Sequence, residues 1–285
     1  WGELRGILSA AASFKEFLAD PLGADVVVFA QRQLPDDDRR LEALRALLGG
    51  RLVAAELYGK PEAAEFFGRE QFASALEVRG NWSNAGNIQV LINHIKLGSY
   101  LKSAGFLERY ELHVFTRSDH LHVLPFPSAA EFLAVLGPLD VVTQAGHEFG
   151  GVNYNLIAMR NTLVGSYLQG PLDIITSGFK NSKKTYNIER FMGLILCEKQ
   201  WRNLRMPVTC FITAESLGDR STWKKIKVSG AREGVLFKYE AQMEEAYKNR
   251  DLWRKHGRWI GLRPPRRFQV EEIHGRAVRP FALIL

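Results

Sequence analysis

The order of apolar segments over the first 58 residues most constrains what this chain can fold into. Apolar residues recur at helical spacing over residues 4–14, and a continuous β-branched run follows at residues 24–30. A second helix is predicted from Pro35 to about Gly49, with carboxylates in its first turn and an apolar face formed by Leu41, Leu44 and Leu47. A second strand is predicted from Leu52 to Tyr58. This helix–strand–helix–strand order predicts an α/β fold whose sheet is mixed, mostly parallel and flanked by helices.

The later segments extend the same pattern. A long helix capped by Ser83 or Asn84 is predicted to end near Gly105, and an apolar strand follows at residues 111–116. Residues 153–167 and 187–196 have helical patterns, residues 207–212 resemble a strand, and residues 239–256 resemble a helix. No repeat or clear linker interrupts the chain, which favours a single domain with a C-terminal extension.

Positive charge is concentrated at the C-terminal end. Residues 221–285 hold 15 Lys/Arg and 7 Asp/Glu, whereas residues 1–220 hold 23 and 24, and the whole chain carries a net charge of +7. We therefore predict a main domain at residues 1–220 and a helical, basic extension at residues 221–285 packed on it. Such an extension is either a solvated flank or a surface for an anionic ligand.

The composition and the cysteines indicate in which cellular compartment the protein is expected to reside. The chain has 46% hydrophobic and 24% charged residues, as folded proteins do, and no apolar run approaches the roughly 20 residues that a membrane-spanning helix needs. The two cysteines, Cys197 and Cys210, lie in apolar runs and lack metal-ligand spacing, so two buried free thiols are favoured over a disulfide. These features favour the cytoplasm over the secretory lumen.

The strand at residues 111–116 ends in an unusual cluster of charge. Arg117, Asp119, His120 and His122 follow it directly, and charge at the end of a core strand is costly to bury without a partner. Strand ends are also where α/β sheets bind ligands. Asp119 could ligate Mg²⁺ or Mn²⁺, and Arg117 could pair with Asp119 or contact a phosphate. The alternative is a structural ion pair with two surface histidines.

A glycine-bearing loop supplies a second candidate. His147 and Glu148 can each act as a general base, and Gly150 and Gly151 allow the backbone to approach a ligand closely. Asn153 then offers an amide for sugar hydroxyls or for capping. A basic loop with Lys180 follows, but it lacks the Gly-Lys-Ser/Thr order of a phosphate-binding loop. The alternative for the first loop is a tight turn before a helix.

The order of these pieces resembles glycosyltransferases of the GT-A fold, especially a loose group found in algal viruses, algae and bacteria. In that group a strand ends in Arg-x-Asp, a degenerate form of Asp-x-Asp, as in Arg117-Ser118-Asp119. A Gly-Gly loop followed by Asn or Asp and a later Asn-x-Glu helix are similar to residues 147–155 and 187–189. The start at residues 2–6 resembles the end of a first strand that grips the nucleotide, and the likeness spans residues 1–215.

The resemblance implies a hexosyl- or pentosyltransferase in glycan biosynthesis. It would move a sugar from a UDP-sugar, or a GDP-sugar, to a glycan or glycoprotein hydroxyl with the help of Mn²⁺ or Mg²⁺. Glu148 would be the base and Asp119 the metal ligand, and the acceptor or sugar would contact His147, Gly150, Gly151 and Asn153. The nucleotide sugar would be held by Gly2, Arg5, Arg117, Asp119 and Lys180. No nucleic-acid partner is expected, and Arg117 departs from the common motif.

Two other functions remain open. A metal-dependent phosphoesterase or nuclease would use Asp119, His120, His122 and His147 as metal ligands. A non-catalytic polyanion-binding module would use the basic extension, with aromatic residues that stack on bases: Trp223, Phe237, Tyr247, Trp253 and Trp259.

Overall fold

A computed structural model describes residues 4, 6–32, 34–59, 85–146, 148, 151–176, 188–214, 224–225 and 236–256. The helices are α1 (Ile7–Phe14, continued by a π-helical turn at Lys15–Ala19), α2 (Asp20–Leu22), α3 (Asp37–Leu48), α4 (Ala85–Ser103), α5 (Phe106–Arg109), α6 (Ala129–Val135), α7 (Asn161–Thr176), α8 (Ile188–Glu198) and α9 (Glu240–His256). The strands are β1 (Val26–Gln31), β2 (Leu52–Tyr58), β3 (Leu112–Thr116), β4 (His120–His122), β5 (Asp140–Gln144), β6 (Leu156–Arg160), β7 (Arg202–Met206), β8 (Cys210–Ala214), β9 (Lys224–Lys225) and β10 (Leu236–Phe237). Both kinds of element alternate along the chain, so the predicted α/β class is confirmed.

The strands form three sheets among the described residues. β1 and β2 pair in parallel, a second sheet has the order β3-β6-β5-β7, and a third has the order β4-β8-β10-β9. Two of the strand pairs are parallel and five are antiparallel. The predicted mixed sheet is confirmed, but the expectation of mostly parallel pairing is wrong for these residues. Antiparallel pairs are the majority because every pair in the third sheet is antiparallel and because β6 runs antiparallel to both β3 and β5.

One predicted helix begins later than expected. Residues 156–160 form strand β6, and helix α7 begins only at Asn161. The apolar run Leu156–Met159 fits either structure, because so short a run has no clear period. Here it pairs with β3 on one side and β5 on the other, so the hydrogen bonds of two neighbours favour the strand.

The main hydrophobic core lies between the helices and the second sheet. Helices α4, α7 and α8 contribute Ile92, Val164, Leu168 and Met192, which pack with Met159 of β6. All five side chains are at most 2% exposed. This core fixes β6 and therefore the loop that leads into it.

The described part of the C-terminal region packs against the rest of the protein. Phe237, Met243 and Tyr247 form a buried cluster with Leu121 of β4 and Phe211 of β8. Residues 236–256 therefore belong to the folded body, whereas the boundary predicted at residue 220 stays a prediction. None of the helices within the described ranges is both long and apolar enough to cross a membrane.

A cavity of about 520 Å³ is lined by residues 24–30, which include most of β1, and by residues 111–118, which include β3, together with helical residues. Among the described strands, β1 pairs only with β2 and β3 only with β6, which leaves each with one edge unpaired. Such edges present N–H and C=O groups that accept a further strand.

Candidate functional site

The candidate site lies at one end of the β3-β6-β5-β7 sheet. Thr116 ends β3 opposite Leu156, which begins β6, and β5 and β7 end together at Gln144 and Met206. The turn at residues 117–119 and the loop at residues 145–155 therefore leave the sheet from the same edge. The carboxyl ends of strands in α/β proteins are a common place for ligands.

Arg117 and Asp119 form a two-pronged ion pair at this edge. Arg117 Nε donates to Asp119 Oδ1 at 2.8 Å, and Nη2 donates to Oδ2 at 2.7 Å. The side chain of Asp119 is 7% exposed and that of Arg117 is 31% exposed. Burial by itself would raise the pKa of Asp119, but Arg117 outweighs it and holds the pKa below the usual 3.8. Both oxygens of the carboxylate are thus engaged, and part of the guanidinium reaches the surface.

The turn that carries Asp119 is fixed from two sides. Gly6, which precedes α1, has a φ of +80°, and a Cβ there would lie 2.9 Å from Cβ of Asp119. Only glycine fits this left-handed backbone and close approach. On the other side, the Asp119 carbonyl accepts hydrogen bonds from Thr213 N at 2.8 Å and Thr213 Oγ1 at 3.1 Å. The ion pair is therefore preorganised by α1 and β8.

Polar side chains from distant parts of the sequence surround Arg117. Arg117 Nη1 lies 3.5 Å from Asn155 Oδ1. The phenol groups of Tyr154 and Tyr239 act electrostatically on the guanidinium. Burial raises the pKa of Tyr154 to about 12, so the phenol stays protonated and can donate a hydrogen bond. Sequence reasoning missed Tyr239, because it lies far along the chain and no local pattern marks it.

Glu148, the predicted base, is paired with an arginine that sequence reasoning did not select. Arg205 Nη1 lies 3.1 Å from Oε1 and 3.4 Å from Oε2 of Glu148, which is 9% exposed. Arg205 projects from β7, whose other end carries Arg202. An arginine inside a strand that packs on a core needs a partner. The position of Arg205 within such a strand is therefore the feature that could have identified it.

The loop after Glu148 is tightly packed. Gly151 N donates to the carbonyl of Glu148 at 2.6 Å, and Val152 N donates to the carbonyl of Glu189 at 2.9 Å. A Cβ at Gly151 would overlap the backbone of Glu189 and Arg190. The predicted close approach at Gly151 is therefore to the start of α8, and any approach to a ligand stays a prediction.

Asn153 shapes the same loop from inside. Its Nδ2 donates to the carbonyl of Gly146 at 2.9 Å, and its Oδ1 accepts from Asn155 N at 3.2 Å and Nδ2 at 3.1 Å. The side chain is fully buried. Its described contacts are thus within the loop, and the predicted contact with acceptor or sugar stays a prediction.

Five of the predicted site residues lie outside the described residues: Gly2, Arg5, His147, Gly150 and Lys180. The structure brings together Arg117, Asp119 and Asn155, and it places Glu148 on the loop that leaves the same edge. It also adds Glu189, at the start of α8, whose pKa is raised by burial. A carboxyl group in this setting is a second candidate for acid–base chemistry.

The arrangement at Asp119 does not fit a divalent cation bound directly to its carboxylate. Mg²⁺ and Mn²⁺ need free oxygen ligands, and both oxygens of Asp119 accept from Arg117. Within the described ranges, the group of side chains with metal-ligand spacing is His120, His122 and Cys210. The predicted Mn²⁺ or Mg²⁺ requirement therefore stays a prediction.

Comparison with known proteins identifies no relative. Neither a scan against protein-family models nor a search of curated proteins found a match to this chain. Its function must therefore be argued from the site itself.

Proposed function

We propose that the protein is a glycosyltransferase that uses a nucleoside-diphosphate sugar, a UDP-sugar by default, as donor. The observation that carries this proposal is the buried Arg117–Asp119 pair at the carboxyl end of β3. The resemblance to GT-A glycosyltransferases implies an Arg-x-Asp motif at the end of a strand, followed by a glycine loop. The partial exposure of Arg117 supports a role in binding an anion.

A cavity of about 520 Å³ adds support, because its lining includes Arg117 and Ser118 together with residues of β1 and β3. Such a space beside the Arg117–Asp119 pair could hold part of the nucleotide sugar.

The chemistry follows from charge. When the bond between the sugar and the diphosphate breaks, negative charge develops on the leaving phosphate. Asp119 holds Arg117 through Nε and Nη2, and Nη1 makes only a long contact of 3.5 Å with Asn155 Oδ1, so the exposed part of the guanidinium can donate to phosphate oxygens. A hydrogen-bond donor that is held in place before the reaction, as Arg117 is, stabilises the developing charge without reorganisation. Tyr154 and Asn155 can add neutral hydrogen bonds beside it.

Glu148 is the proposed base for a reaction that inverts the anomeric carbon. It would accept the proton of the acceptor hydroxyl, and Arg205 would hold its carboxylate in place. A retaining reaction needs no such base, so Glu148→Gln distinguishes the two outcomes. The acceptor would be a glycan or glycoprotein hydroxyl.

The described part of the basic region supports the polyanion-binding alternative less well than the site supports a glycosyltransferase. Phe237 and Tyr247 are 4% and 8% exposed and pack in the core, so neither can stack on a base. Among the ligands of the phosphoesterase alternative, Asp119 is paired with Arg117 and is absent from the group formed by His120, His122 and Cys210.

A thermal-shift screen of nucleotide sugars tests the proposal. A donor that binds the folded protein raises its melting temperature, and the screen is run with and without Mn²⁺. Arg117→Lys keeps a charge beside Asp119 but loses the planar fork, so it should reduce the shift. Arg32→Lys is the control, because Arg32 makes a two-pronged contact with Asp38 through Nη1 and Nη2 on the surface. No response to any nucleotide sugar would contradict the proposal.

A further inference from the structure

Two histidines and a cysteine lie together on one face of the β4–β8 strand pair. His122 is directly opposite Cys210, and His120 is opposite Ile212. Since side chains alternate along a strand, His120 and His122 share a face, and Cys210 lies on that same face. All three are at most 1% exposed. Their possible ligand atoms all lie within 4.8 Å of one another.

Several nitrogens in this cluster have no partner. Within the described part of the chain, His120 Nε2 and both ring nitrogens of His122 are buried without a hydrogen bond. A buried polar group that is left without a hydrogen bond destabilises the folded protein. Native proteins rarely keep three such groups in one place unless an ion or a water molecule satisfies them.

The protonation states suit metal binding. Burial lowers the pKa of His122 to about 3 and that of His120 well below its usual value, so both rings are neutral at pH 7. Neutral imidazole is the form that binds metals. Without a metal, burial raises the pKa of Cys210, and its thiol donates to Gln144 Oε1 at 3.2 Å.

We propose that His120, His122 and Cys210 bind one Zn²⁺ ion. A zinc-bound nitrogen and sulfur, at about 2.05 and 2.3 Å from the ion, lie roughly 3.5 Å apart in a tetrahedral site. Cys210 Sγ is 3.4 Å from His120 Nδ1, so this pair already has the required spacing. An ion bound there would replace the 3.1 Å contact between this nitrogen and Thr116 Oγ1, and His120 Nε2 would need a water molecule as its partner. The ligand atom of His122 lies within 4.8 Å of the others, so it is at most about 1.3 Å beyond the spacing of a tetrahedral site.

The ligand chemistry selects the kind of ion. A thiolate and two imidazoles favour Zn²⁺ and similar borderline ions, whereas Mg²⁺ and Mn²⁺ prefer oxygen. Binding converts the Cys210 thiol to a thiolate and releases its proton to solvent. Gln144 Oε1 loses that donor but still accepts from Thr209 N at 2.9 Å and Cys210 N at 3.2 Å. One coordination position remains for a water molecule.

The ion would stabilise the strands that support the candidate site. β4 begins directly after Asp119, and Thr213 of β8 holds the carbonyl of Asp119. A metal that joins β4 to β8 therefore fixes the turn of the Arg117–Asp119 pair without contacting a ligand there. The zinc proposal does not depend on glycosyltransferase activity.

Metal content after removal and return of zinc tests the proposal. The purified chain is stripped of metal with a chelator and dialysed against Zn²⁺. Its zinc content is then measured by inductively coupled plasma mass spectrometry and its melting temperature by thermal denaturation. We expect one Zn²⁺ per chain and a higher melting temperature with the metal than without it. Cys210→Ser should lose the bound metal. Cys197→Ser is the control, because Cys197 is a free, half-buried thiol on α8 outside the cluster.

A second measurement covers the case in which Cys210→Ser fails to fold. Co²⁺ added to the stripped wild-type protein should give a thiolate-to-cobalt absorption band, and Zn²⁺ should remove it while Mg²⁺ does not. Cys197→Ser should keep the band. Absence of the band and of zinc uptake in the folded wild-type protein would overturn the proposal, as would equal zinc uptake by a folded Cys210→Ser variant.

Discussion

Replacing Asp119 with asparagine should destabilise the protein through the arginine that it leaves behind. Asp119→Asn keeps the shape of the side chain but removes its charge, so Arg117 loses its only ion-pair partner found among the described residues. The cost comes from the unpaired guanidinium, because the neutral amide cannot accept two charged hydrogen bonds as well as a carboxylate can.

The size of the effect follows from burial. Removal of one partner from a fully buried ion pair costs about 3–5 kcal/mol. The side chain of Asp119 is 7% exposed, but that of Arg117 is 31% exposed, so water can solvate part of the guanidinium. We therefore expect the free energy of unfolding to fall by about 2–4 kcal/mol.

Urea denaturation at several pH values measures this loss. The folded-state pKa of Asp119 is below its usual value of 3.8. The pair therefore stabilises the protein fully above that value and loses its effect as pH falls through the lower, folded-state pKa. The difference between wild type and Asp119→Asn should be constant near neutral pH and should shrink below pH 3.8.

Asp38→Asn provides the matched control. Asp38 also makes a two-pronged contact, with Nη1 and Nη2 of Arg32, but the two side chains are 69% and 49% exposed. Exposed pairs contribute little to stability, so this variant should unfold like wild type. If Asp119→Asn also unfolds like wild type, the Arg117–Asp119 pair is not buried and preorganised as described.

Three further predictions concern the loop, the base and the metal. Gly151→Ala should reduce the yield of folded protein or its melting temperature, because its Cβ would overlap the backbone of Glu189, whereas Gly50→Ala meets no atom within 4 Å and should not. Glu148→Gln should lower the rate of transfer to an acceptor by about 100-fold or more without weakening donor binding; an unchanged rate would exclude Glu148 as base. Donor binding in calorimetry should persist in Zn²⁺-loaded protein without added Mg²⁺ or Mn²⁺, because Arg117 supplies the positive charge; its complete loss would favour a metal at Asp119.

Local sequence patterns predicted much of the fold. Carboxylates at the start of α3 and leucines at helical spacing predicted that helix, and Leu41 and Leu44 are buried as expected. Leu47 is exposed instead, and Leu48 takes the buried position, because three-residue spacing drifts off the face of a helix with 3.6 residues per turn. The short run of β6 was assigned to a helix, because only its pairing with β3 and β5 decides its structure.

The candidate site was harder to predict than the strands that carry it. The charge cluster at the end of β3 was visible, and the pairing of Arg117 with Asp119 was one of the expected arrangements. The partners of Glu148 and Cys210 were not visible, because Arg205 lies 57 residues from Glu148 and His120 lies 90 residues from Cys210. Such contacts depend on strand order, which a local pattern does not specify.

Calorimetric titration of nucleotide sugars into wild type and Arg117→Lys tests the central claim most directly. The site predicts that at least one UDP- or GDP-sugar binds the wild-type protein and that the folded Arg117→Lys variant binds it more than about tenfold more weakly, because lysine cannot reproduce the held guanidinium. Equal binding by the two proteins, or no binding of any nucleotide sugar to wild type, would contradict the account.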